Sequence, residues 1–321
     1  MRTRLASLAS RLLGTACLVI SPVLSPGLPP DDLQPQPITE PPARVTALYE
    51  NAADICGPLY GSGLNPDINF RIQILRQTLK HSATGRDLVK AARLADGKEA
   101  WLCFTDKKSK HATYHLGIGV ITLNRNKTDD AIVADAVHEL RHLYQDATRP
   151  TPHTLTERED LVQLEYAEEA DAEAVSSLVL WELRQARITA PWNHHNSHYS
   201  YRPVSICYAH ISDAFQQAIT QGKDTTHATA AAFRAWYRDP SLLAYYRRQA
   251  LDNIEATTRQ NRSSVIPDHG CSSLDNSATQ DNLPSAALEH YAHNYIGTLP
   301  SYRTNYLGRA GGLKAVLSNP S

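Results

Sequence analysis

From Ala131 to Ala147 the apolar residues of this chain recur at three- and four-residue spacing: Ile132, Val133, Ala136, Val137, Leu140, Leu143, Tyr144 and Ala147. That period predicts a helix with one buried face. Thr128 stands ahead of it as an N-cap candidate, and Asp129 and Asp130 suit the positive end of a helix. Pro150 and Pro152 close the far side. Two histidines, His138 and His142, sit at the edge of the apolar stripe rather than opposite it. Residues four apart share one helix face, so both rings can reach a single point in a cleft.

The segment His138-Glu139-Leu140-Arg141-His142 therefore offers two imidazole ligands to one divalent ion. Glu139 falls beside the open coordination position, where a general base for a metal-activated water is needed. This is the HExxH pattern of zinc metallopeptidases, with Zn2+ as the expected cofactor. A catalytic zinc takes three protein ligands, and the extended form of the motif, with a Gly and a third His, is absent. Gln145 and Thr148 occupy the positions it would need.

The third ligand is expected from the next helix, which spans roughly Glu157 to Arg187 behind a capping box, Thr156 to Glu159. Its middle is crowded with Glu165, Glu168, Glu169, Asp171 and Glu173. On a helical wheel Glu165 and Glu168 fall inside the apolar stripe and Glu169 on its flank, with Asp171 and Glu173 further round. Buried carboxylates need partners, and a metal is one. Glu169 is followed by a small residue, Ala172, and then by Glu173, which suits a ligand with an acid one turn on to orient a motif histidine. Glu165, followed by Glu168 and Glu169, is the second choice.

The runs HELRHLYQ and EEADAEA, with Ala231–Arg247 (AAFRAWYRDPSLLAYYR) and the closing GTLPSYRTNYL, resemble a bacterial family of uncharacterised proteins described as metallopeptidases. The resemblance spans roughly Thr84 to Leu307 and places the chain in the zincin group, which uses two His and one Glu. It implies a zinc-dependent hydrolase with His138, His142 and Glu169 as ligands, Glu139 as general base and a peptide or protein as substrate.

Net charge is −1, with 32 basic and 33 acidic residues interspersed. No basic stripe marks a nucleic-acid partner, and no large field marks a membrane surface. Arg2, Arg4 and Arg11 precede a moderately apolar run, Leu12 to Leu24, which reads as an export signal over residues 1–28. Pro22 interrupts it, and it is too short for a stable membrane span. A Pro-rich stretch follows, dense from Ser25 to Pro42 and taken as a linker over residues 29–45. The rest, 46–321, is read as one zincin-like domain in the periplasm or outside the cell. Its four cysteines, Cys56, Cys103, Cys207 and Cys271, allow two disulfides there, or remain buried thiols.

The fold class expected is α+β and mainly helical, with a small sheet ahead of the metal-binding helix. Ala100 to Thr105 and Tyr114 to Leu123 read as strands; in the second, Gly117 and Gly119 would leave one backbone face open to a ligand. Helices are expected over Ile68–Lys80 and Thr84–Leu94, the latter capped by Thr84, and over Ile206–Thr220, Thr226–Tyr237, Ser241–Arg259 and Ala286–Ile296. Pro191 to Ser200, with His194, His195 and His198, reads as a solvated polar loop. A rival to the enzyme is a non-catalytic, zinc-stabilised envelope binding protein. A fourth protein ligand, for example from that histidine loop, would distinguish it.

Overall fold

The helices Pro66–Leu79, Ala83–Ala91 and Thr225–Trp236 each begin at a side-chain cap. The computed structural model describes residues 39–92, 99–106, 112–148, 158–197 and 208–263. Two single-turn helices, α1 (Ala43–Thr46) and α2 (Ala52–Ile55), lead into β1 (Cys56–Pro58), α3 (Pro66–Leu79) and α4 (Ala83–Ala91). Strands β2 (Trp101–Thr105), β3 (Thr113–His115) and β4 (Val120–Asn124) precede α5 (Asp129–Thr148) and the long α6 (Arg158–Gln185). Helices α7 (Ala190–Asn196), α8 (Ala209–Thr220), α9 (Thr225–Trp236) and α10 (Pro240–Ser263) complete it. This is the expected α+β class, mainly helical with one small sheet.

Asn65 starts α3 by accepting from the backbone N–H of Asp67 at 2.9 Å, with Pro66 in the first turn, where its missing N–H costs nothing. Asp224 does the same for α9 through His227 N–H at 2.8 Å. The cap of α4 is Ser82, accepting from Gly85 N–H at 2.8 Å, not Thr84. Thr84 instead sits inside the first turn, and its N–H and hydroxyl both donate to Glu182 of α6. The Thr84 reading took the first hydroxyl with a helical pattern behind it, and Ser82 lay two residues earlier.

The four strands form one sheet in the order β1-β2-β4-β3, with β2 and β4 parallel and both outer pairs antiparallel. The stretch from Tyr114 to Leu123 is a hairpin and not one strand. Gly117 and Gly119 both have φ of 70°, a conformation that L side chains rarely adopt, and they reverse the chain between β3 and β4. Their period-two spacing mimicked an alternating strand, but their conformational freedom makes the turn. Opposite this edge, Cys56 on β1 and Cys103 on β2 are cross-strand partners joined by a disulfide in a small cluster with Val45 and Trp101. Cys207 and Cys271 lie outside the described residues, as do residues 1–38, Thr156, His198 and the expected 286–296 helix.

Helix α6 is the axis of the core. Helices α4, α5, α7, α8, α9 and α10 all pack against it, so it has no solvated side for most of its length. Ala170, Asp171, Ala172, Ala174, Val175 and Val179 are all fully buried. Asp171 and Glu173, outside the apolar stripe of the wheel, are also interior, because a wheel drawn for a two-sided helix fails for one enclosed all round. Residues 190–196 are also a helix rather than a loop. Trp192 anchors it at 2% exposure, with its ring 5.5 Å from that of Trp181 and 6.4 Å from that of Phe215. The count of polar residues in that stretch hid one aromatic side chain with enough area to dock it.

The hairpin is fastened to α5. Asp146, one turn past His142, accepts from the Tyr114 hydroxyl at 2.5 Å and from Gly117 N–H at 2.8 Å. Asp146→Ala is expected to lower the unfolding free energy by about 2 kcal/mol, read from urea titration, since two bonds to a charged acceptor are lost.

Candidate metal centre

Helices α5 and α6 pack with their charged residues facing one another. His138 and His142 project from successive turns of α5, with ring centroids 4.6 Å apart and planes at 76°. Their Nε2 atoms are 2.9 Å apart. From α6, Glu169 brings Oε2 to 3.3 Å from His138 Nε2 and Oε1 to 3.4 Å from His142 Nε2. Among the described residues these three side chains form the group whose donor atoms converge closely enough to share an ion. Ligands about 2.0–2.1 Å from a tetrahedral ion lie about 3.3–3.4 Å from each other, so the donor set fits a small divalent cation. Glu165 lines the same cavity one turn earlier but does not join the group.

The electrostatics are those of a place built for positive charge. Burial pushes both imidazoles down, yet they are raised overall. His138 rises because of the charge of Glu173 and the hydrogen bond with Glu169, and His142 rises to about 9 because of Glu169. Burial pushes Glu169 up, but the charges of His142 and His138 hold it well below the usual carboxylate range. Without a cation, protons on the imidazoles supply the positive charge.

Glu139 is 7% exposed and points into the cavity. Its Oε2 accepts from the backbone N–H of Tyr114 on the edge strand at 2.6 Å. Burial raises its carboxyl above the usual range, against the pull of His138 and His142. The cavity has a volume of about 390 Å3 and lies between the β3–β4 hairpin on one side and α7, α8 and α10 on the other. Lys127 and Asp135 pair at 2.5 Å at its wall, beside His194.

A second ring of contacts holds the donors. Glu173 Oε1 lies 3.1 Å from His138 Nδ1, the role its spacing had suggested, and His195 Nε2 approaches the other Glu173 oxygen at 3.6 Å. His142 Nδ1 is 2.7 Å from Gln145 Oε1. The Gln145 amide donates to Asp171 Oδ2 at 2.9 Å and to the Glu168 carbonyl at 3.0 Å. Asp171 Oδ2 also accepts from Arg141 Nε at 2.6 Å, and both of those side chains are fully buried.

Sequence reasoning missed four of these neighbours. Gln145 had a signal, being three residues after His142 and hence on its face of the helix. His195 was read as solvated because its docking depends on Trp192. Tyr208 and Tyr246, whose hydroxyls meet at 3.1 Å on the far cavity wall, come from the residue before α8 and from α10, with nothing local to mark them.

Two helices thus bring together, at a cavity wall, a group of side chains able to hold a metal ion. The chain is a member of the family described as "Putative metallopeptidase family (DUF6782)", whose model matches residues 50–284. No curated protein and no solved structure matches the chain.

Two outcomes are expected of the metal-free protein. Uptake of a divalent ion at pH 7 releases protons, because His142, raised to about 9, carries one there and must lose it to present a lone pair. Affinity therefore falls as the pH drops below about 9, and calorimetric titration in two buffers of different ionisation enthalpy measures the release. Secondly, Glu169→Ala is expected to abolish tight uptake while Glu165→Ala retains it, as equilibrium dialysis would show.

Proposed function

We propose that this protein is a zinc-dependent metallopeptidase of the HExxH type. His138, His142 and Glu169 are its metal ligands and Glu139 is its general base. The observation that carries the reading is the convergence of two Nε2 atoms and one carboxylate, 2.9–3.4 Å apart, at the wall of a cavity. Among the described residues no fourth protein donor joins them, which favours catalysis over a purely structural ion. When bound, the cation supplies Lewis acidity to the scissile carbonyl and to the attacking water.

The chain's own residues do the rest. Glu139 takes a proton from the water as it attacks the carbonyl carbon, and returns it to the amine as the C–N bond breaks. Its raised affinity for protons suits both halves of that transfer. The Tyr114 N–H holds the carboxylate in place between them. Tyr208 and Tyr246 are neutral hydroxyl donors, since burial pushes both well above the usual phenol range. On the cavity wall they are suited to stabilise the oxyanion of the tetrahedral intermediate. The substrate is a peptide or protein segment.

The same reading has the protein act in the periplasm or outside the cell. The N-terminal arginines and apolar run support export, and so does the Cys56–Cys103 disulfide, a bond of oxidising compartments. No helix among the described residues is long and apolar enough to cross a membrane.

Glu139→Gln is expected to keep one zinc per chain and to lose about 10²–10⁴-fold in hydrolysis of a peptide library, the range for loss of a general base. Full activity in that variant would sink the mechanism. Wild-type protein that holds zinc and cleaves nothing would turn the reading toward a binding protein.

A further inference from the structure

Gln145 makes three contacts that together settle which way its amide points, and through it which nitrogen of His142 carries the proton. The Nε2 of Gln145 faces two acceptors, Asp171 Oδ2 at 2.9 Å and the Glu168 carbonyl at 3.0 Å. Asp171 Oδ2 is already an acceptor, receiving Arg141 Nε at 2.6 Å. Turning the amide over would set its carbonyl oxygen against both, replacing two hydrogen bonds with two repulsions. The Oε1 must then face His142 Nδ1, which lies 2.7 Å away. Because that oxygen only accepts, Nδ1 must carry the hydrogen. The lone pair of a neutral His142 is left on Nε2, the atom aimed at His138 and Glu169.

Resting on the metallopeptidase reading, we propose that Gln145 is a positioning residue that holds His142 in its Nδ1–H tautomer. The buried Arg141–Asp171 pair in turn fixes the Gln145 amide. The fully buried ion pair thereby has a role at the site that neither partner touches. A dry guanidinium–carboxylate pair contributes little net stability by itself, and here it terminates a chain of polarity running from the core to the metal ligand. The two imidazoles are steered differently. His138 faces an ionised carboxylate, Glu173, and His142 a neutral amide. A neutral acceptor directs the ring while adding no further negative charge to a site that already holds Glu169, Glu173 and Glu139.

The test uses the full chain loaded with zinc. A correlation spectrum of ring 15N and 1H in the wild type is expected to show His142 protonated at Nδ1 and coordinated through Nε2. Competition with a chelator is expected to show zinc bound about 10- to 100-fold more weakly by Gln145→Leu, which has no acceptor, the usual effect of losing a group that orients a metal ligand. The His142 Nδ1–H signal, sheltered by its bond to Gln145 Oε1 in the wild type, is expected to exchange with water and broaden in the Leu variant, an outcome that simple repacking would not produce. If Gln145→Leu does not fold, Gln145→Met carries the same expectation. Coordination of His142 through Nδ1, wild-type affinity in the Leu or Met variant, or a His142 Nδ1–H signal unchanged in either would each overturn the proposal while leaving the metallopeptidase reading intact. A wild-type chain that takes up no zinc would overturn both.

Discussion

Helix α6 carries three acids, Glu169, Asp171 and Glu173, in little more than one turn of a helix enclosed on all sides. Carboxylates without partners in such a place are costly enough to prevent folding. Helix α5 answers each of them. Arg141 meets Asp171, His138 meets Glu173, and His138 and His142 together meet Glu169. The register between these two helices is thus set by charge as well as by the apolar side chains around it. A shift of one residue in either helix would leave several buried ions unmatched. The rest of the fold is arranged around that pairing: the sheet covers one flank of α5, and α7 to α10 enclose α6.

The same pairing accounts for the charge balance of the site. Where a cation is bound, the carboxylates and the neutral rings share it. Where none is, the rings take up protons and the local charge stays near balance, as the upward shift of both imidazoles and the downward shift of Glu169 indicate. Proton and cation are thus alternative sources of positive charge for the same donors.

Much of this was legible in the chain. The α5 period, the i and i+4 histidines and the Glu169-to-Glu173 spacing are local patterns, and local patterns survive into the fold because each helix obeys its own geometry. What was lost depended on enclosure or on conformational freedom. Asp171 fell outside the apolar stripe because nothing in α6 itself announces that other helices enclose it. Gly117 and Gly119 looked like gaps in a strand when they were the means of reversing it. His195 looked exposed because its environment is supplied by Trp192, Glu173 and α5, three separate parts of the chain. The tyrosine pair on the far wall arises only when α8 and α10 are brought together.

Asp146 grips the β3–β4 hairpin one helical turn beyond His142, and Glu139 grips the same hairpin through the Tyr114 amide one residue after His138. One bank of the cleft is consequently riveted to the element that bears the imidazoles and moves only as they move. Any widening to admit a bulkier guest falls to the opposite bank, where, among the described residues, Tyr208 and Tyr246 bond to each other and not to α5. The molecule is stiff where the chemistry needs register and compliant where the guest needs room.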